Sequence, residues 1–155
     1  MSTQTQAQVA QYELEIEIKA DRERVWQALT GETDAWWLPD FRSLGDSVVT
    51  LDPVPGGGLT ESCADGRSLL WYTVQMIVPS ESMYLVGHTA PDWGGPTLSM
   101  LKLELQDRGE GCALLVSDAL LGRVSDTQAS SLSDGWRQLF GDGLGRYVVS
   151  TPTRS

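Results

Sequence analysis

A chain of 155 residues suits one domain, large enough to bury roughly 68 to 70% of its unfolded surface in a single core without a disulfide or metal staple. Its net charge of −10, with the eleven Lys and Arg scattered singly, leaves no basic stripe for nucleic-acid phosphates or an anionic membrane face. Cys63 and Cys112 are isolated, a single histidine cannot complete a metal set, no apolar run reaches the length of a membrane span, and the polar start MSTQTQAQVA lacks the regions of a signal peptide; a reducing cytoplasm is the expected location, with no cofactor or metal called for.

Residues 1–10 read as a polar tail. Tyr12, Leu14, Ile16 and Ile18 then alternate with Glu13, Glu15 and Glu17, the period of two that marks a strand with one wet and one dry face. Asp21 can cap a helix from Arg22 to Thr30 that turns Val25, Trp26 and Leu29 inward and stops at Gly31. A helical turn from Thr33 to Leu38 follows, closed by Pro39. From 45 to 121 the texture is β, with strands expected at 46–51, 58–63, 68–78, 82–89, 97–106 and 111–121. Asp52-Pro53 through Gly58, Asp65-Gly66, Pro79-Ser80, Pro91 through Pro96 and Asp107 through Gly111 carry the turn residues between them, and such short connections imply an antiparallel meander.

Residues 125–149 form the one segment long enough for a full packing helix. Ala129, Leu132, Trp136, Leu139, Phe140, Leu144, Tyr147 and Val148 recur at spacings of three and four, and Ser125 with Gln128 makes a capping box. Gly135, Gly141, Gly143 and Gly145 each weaken this helix by about 0.5 to 1 kcal/mol, so packing must hold it. Gly143 falls on the buried face and reads either as room left in the interior or as a helix bend. The order of one strand, two short helices, six strands and one long helix makes an α+β domain over 11–149, with 150–155 as a tail. A curved seven-stranded antiparallel sheet wrapped around the terminal helix buries every apolar face at once.

Few residues invite chemistry. His88, near a strand end, would serve as general acid or base if it faced the interior, and is otherwise an ordinary strand histidine. Tyr72, Tyr84 and Ser117 sit in strands where a hydroxyl can orient a ligand. Tyr72 shares its parity with Leu70, Val74 and Met76, which points it inward, as a core tyrosine or a ligand contact. Trp36, Trp37, Trp71, Trp93 and Trp136 can make an aromatic wall, with Trp136 and Phe140 on the buried stripe and Trp93 on a loop as a lid residue; each is equally well a packing residue. Glu61 is expected as a solvated rim carboxylate, because burying it unpaired costs several kcal/mol. Gly56-Gly57-Gly58 and Gly94-Gly95 lack the lysine and Ser/Thr of a phosphate loop.

Ile16-Glu17-Ile18, Arg24 to Thr30, Trp36-Trp37, Pro55 to Gly58 with Glu61 and Gly66, Val74 to Pro79, and Gly135-Trp136, taken in order, resemble the START/Bet v 1-like (SRPBCC) superfamily, in the branch similar to the C-terminal domain of the Hsp90 ATPase activator Aha1. The resemblance covers 11–149 and implies the helix-grip fold, in which the long helix closes a deep cavity over the sheet. It also implies function by branch: hydrophobic-ligand binding in many, catalysis in a few, chaperone partnership in one. The expected function is binding of an apolar or aromatic small molecule between sheet and helix, by a monomer or homodimer, with Trp36, Tyr72, His88, Trp93, Ser117, Trp136 and Phe140 as candidate contacts. The alternatives are a cyclase, dehydratase or hydrolase using His88 with Tyr72 or Ser117, and a protein-interaction domain with a chaperone partner.

Overall fold

A computed structural model describes residues 4–151. The expected tails at 1–10 and 150–155 lie partly outside these residues; within them the first strand already begins at Gln8.

Seven strands form one antiparallel sheet. They are β1 (Gln8–Ile18), β2 (Val48–Leu51), β3 (Gly58–Ser62), β4 (Ser68–Val78), β5 (Ser82–Thr89), β6 (Thr97–Arg108) and β7 (Gly111–Gly122), in the spatial order β1-β7-β6-β5-β4-β3-β2. The alternation in β1 does what period two demands: Leu14, Ile16 and Ile18 are buried opposite Val116, Leu114 and Cys112 of β7, while Glu13, Glu15 and Glu17 stay in water. Because β1 and β2 end up on opposite edges, the chain between them must cross the sheet. It does so as α1 (Arg22–Gly31) and α2 (Thr33–Trp36), followed by a short 3₁₀ turn at Pro39–Phe41. Asp21 caps α1 by accepting from the Arg24 amide at 2.8 Å.

Two register shifts bend the middle of the sheet, both leaving an extra residue in β4: Trp71 opposite Leu59 and Thr60 of β3, and Gln75 opposite Leu85 and Tyr84 of β5. An extra residue in one strand increases its bend and twist, which is how an open sheet comes to wrap a helix. The same bulges break the parity expected of β4. Tyr72 and Val74 are buried as expected, whereas Leu70 is 55% and Met76 51% exposed, and Trp71 turns toward the interior instead.

The C-terminal rod is three consecutive segments: α3 (Asp126–Gln138), a wider π-helical stretch at Leu139–Gly145, and α4 (Arg146–Ser150). Both arms of the Ser125–Gln128 capping box are present. The rod packs unevenly. No residue of α3 is buried, whereas Leu139, Phe140, Leu144 and Val148 are at most 2% exposed. Four such side chains at about 1.5 to 3 kcal/mol each outweigh a glycine deficit of roughly 2 to 4 kcal/mol, so the glycine-rich half is the half that holds. Gly143 is not a space left in the core, because a Cβ there would stand 2.6 Å from the Trp36 carbonyl oxygen; the glycine lets the rod press against the end of α2. Buried Arg24 adds a latch: it pairs with Glu32 at 2.7 Å and donates to the Thr151 carbonyl at 2.7 Å, tying the end of α4 to α1. No helix among the described residues is long and apolar enough to cross a membrane.

Candidate functional site

α3 meets the sheet along β1, and a cavity of about 660 Å³ opens between it and the middle strands. Leu132, Gly135 and Trp136 form its roof on α3, and Tyr72, Gly87 and Ser99 form its floor on β4, β5 and β6. A chain of aromatic rings runs around it. Trp71 lies 6.1 Å from Trp37, Trp37 lies 5.7 Å from Trp36, Trp36 lies 6.0 Å from Phe140, Phe140 stacks on Trp136 at 5.2 Å, and Trp136 lies 5.9 Å from Tyr72. Six rings thus form one chain, four of them lining the cavity with Trp36 and Phe140 behind, and such pairs contribute about 0.5 to 1.5 kcal/mol each beyond the area they bury. Gly87 is required by this arrangement, since a Cβ on it would fall 2.7 Å from the Tyr72 ring.

The apolar lining is broken at one place by a polar chain. Ser99 Oγ donates to Asp118 Oδ1 at 2.8 Å and lies 3.0 Å from Tyr72 Oη, while Tyr12 Oη donates to Asp118 Oδ2 at 2.6 Å. Asp118 is 2% exposed, and burial pushes its carboxyl above the usual range against the opposing hydrogen bonds from Tyr12 and Ser99. Burial likewise raises both phenols, with the Asp118 charge reinforcing the effect on each. Trp136 Nε1 is buried near this group without a hydrogen bond of good geometry.

The expected contacts divide three ways. Tyr72, Trp136, Trp93 and His88 border the cavity; Trp93 stands 61% exposed at its mouth, and His88 is exposed on β5 at the rim. Trp36 and Phe140 lie behind the lining at 3% and 2% exposure, with the Trp36 indole donating to the Ala28 carbonyl at 2.8 Å. Ser117 lies on the outer face of β7, between Glu13 and Lys102 of the neighbouring strands. The inward residue beside it is Asp118. Tyr12, Ser99 and Asp118 were therefore the residues to single out: each is the polar member of an otherwise apolar parity, beside Leu14 and Ile16, Leu101 and Leu103, and Val116 and Leu120.

Glu61 corrects another expectation. It is fully buried, not solvated, and is satisfied four times over by the Ser43 amide (3.0 Å), the Leu44 amide (2.7 Å), Ser47 Oγ (2.8 Å) and Trp71 Nε1 (3.1 Å). Burial opposes its ionisation, but these donors, led by Leu44, outweigh it and hold the carboxyl below its usual value. Glu61 thereby fixes both the loop after Phe41 and the aromatic wall at Trp71.

The fold is shared widely. A protein of Rhizobium leguminosarum is similar over 94% of this chain and 97% of its own, with a TM-score of 0.70 at 18% identity. Mll3558 from Rhizobium loti matches 88% of this chain and 95% of its own, with a TM-score of 0.68 at 20% identity. Ara h 8.0201 matches 93% of this chain and 100% of its own, with a TM-score of 0.67 at 14% identity. No curated protein matches the sequence. The pattern of the family described as "Activator of Hsp90 ATPase homolog 1-like protein" matches residues 19–149. A seven-stranded sheet gripping a C-terminal rod, together with that match over most of its length, places the chain in this family, within the START/Bet v 1-like superfamily.

Proposed function

We propose that the protein binds an apolar, aromatic small molecule in the cavity between α3 and the sheet. The observation that carries this reading is the failure of α3 to bury any residue over a space of about 660 Å³ whose walls are aromatic and whose floor holds one polar pair. Pockets of this volume, mostly apolar with a few convergent polar groups, are the usual form of a small-molecule site. A reading as an enzyme built on His88 draws no support from an exposed imidazole at the rim.

Binding to the native state alone stabilises it by RT ln(1 + [L]/Kd), about 2.7 kcal/mol at a hundredfold excess over Kd, which for a domain of this size raises Tm by roughly 5 to 10 °C. A thermal-shift screen of aromatics, sterols and lipids should find such a ligand class, and native mass spectrometry of gently purified protein should show bound mass. No shift with any class and no bound mass would refute the reading.

A further inference from the structure

The direction of the hydrogen bonds at the cavity floor limits what polar group a ligand can bring. Both oxygens of Asp118 act as acceptors, one taking a bond from Tyr12 Oη and the other from Ser99 Oγ. A serine hydroxyl carries a single proton. With that proton given to Asp118, Ser99 can meet Tyr72 Oη only as acceptor, so the Tyr72 proton is committed as well. The Tyr72 oxygen is left with a lone pair and no proton to give, and burial keeps this phenol neutral. Both Tyr72 and Ser99 border the cavity, with Asp118 behind them.

We infer that the cavity selects apolar aromatic ligands carrying a neutral hydrogen-bond donor, such as a phenolic hydroxyl, that lands on Tyr72 Oη, and discriminates against isosteres offering only an acceptor. This rests on the binding reading above and adds the ligand's chemistry to it. An ether oxygen at that point sets acceptor against acceptor, leaving both without water and without a partner. A carboxylate meets the same lone pair with Asp118 a short way behind it. Sites built to pair a hydroxyl reject the analogue that lacks it more strongly than an apolar pocket separates two hydrocarbons, because an unpaired buried group is left behind.

Three probes of one shape separate the possibilities: 2-naphthol, naphthalene and 2-methoxynaphthalene, titrated by NMR against the full chain. The wild type should bind 2-naphthol roughly three- to tenfold more tightly than either of the others. Tyr72→Phe should make the naphthol and naphthalene affinities equal. Ser99→Ala frees the Tyr72 proton, so 2-methoxynaphthalene should gain relative to naphthalene. Circular dichroism establishes that each variant is folded, and the wild-type comparison decides if one is not. Equal affinities in the wild type, or a naphthol preference that survives Tyr72→Phe, would overturn the inference and leave the cavity reading standing. Failure of all three probes to bind would overturn the inference, while the wider thermal-shift screen decides the cavity reading separately.

Discussion

Glu61 is the clearest case of a charge whose burial is compensated. Four donors converge on it, so Glu61→Gln replaces an oxygen that two donors share out with an amide that is itself a donor, setting N–H against N–H beside Ser43 or Leu44. The expected cost is about 2 to 4 kcal/mol at pH 7, measured by urea unfolding. Because the folded carboxyl is held low, its contribution is present above the unfolded value near 4.3 and is lost as pH falls through the folded value. Asp34 acts in the same sense: burial opposes its ionisation, but Arg42 and the Val49 amide outweigh it. Asp118 acts in the opposite sense; its raised carboxyl contributes most below about pH 3.9, and that contribution is lost as pH rises through its folded value. The Glu61→Gln deficit should therefore shrink on acidification, and a deficit unchanged between neutral and acid pH would show that charge is not its origin. Its parity with Leu59 in β3 points it inward, but the Ser43 and Leu44 amides that compensate the charge come from a loop far along the chain. Asp118 has the fuller signal: the period of β7 points it inward between Val116 and Leu120 and turns Ser117 outward beside Glu13 and Lys102.

At the scale of elements, the strands were readable because period two and turn chemistry are local properties. Residues 68–78 and 82–89 are strands at the expected boundaries, and β6 runs two residues beyond its expected end. The two bulges in β4, at Trp71 and Gln75, were not readable, since register is decided by the partner strand, and the first explains why Leu70 faces water while Trp71 joins the wall. The rod glycines illustrate the same limit. Gly141 has nothing within 4 Å of its added Cβ, and Gly143 has the Trp36 carbonyl at 2.6 Å, yet by sequence both are glycines in a helix. Gly141→Ala should stabilise by about 0.5 to 1 kcal/mol through propensity alone. Gly143→Ala should destabilise by about 1 to 3 kcal/mol because backbone must move. Thermal unfolding of the two variants checks this, and a Gly143→Ala variant as stable as wild type or more so would contradict the close approach. Trp93 lies between β5 and β6 with 61% of it exposed, so Trp93→Ala should leave Tm nearly unchanged while weakening binding of an aromatic ligand.

For the molecule as a whole, stability and vacancy are allotted to different halves of one rod. From Leu139 onward the rod is sealed against the sheet and helices α1 and α2, and its last residues are latched through Arg24 and Glu32. Before Leu139 it runs along β1 with Trp136 half-buried beneath it, but buries no side chain fully, and Leu132 is 42% exposed. A segment with few buried contacts opens at a smaller free energy than the core, so its backbone amides should exchange hydrogen at lower protection. Native-state exchange should show α3 amides exchanging well ahead of those at Leu139–Ser150 in the empty protein. Filling the cavity gives α3 the apolar surface it lacks, so a bound aromatic should slow α3 selectively and leave the already sealed half almost unaffected. Uniform protection along the whole rod without ligand would mean that α3 is held by something other than packing. Protection gained equally by both halves would mean that ligand stabilises the fold globally instead of completing the unfinished contact over which the cavity lies.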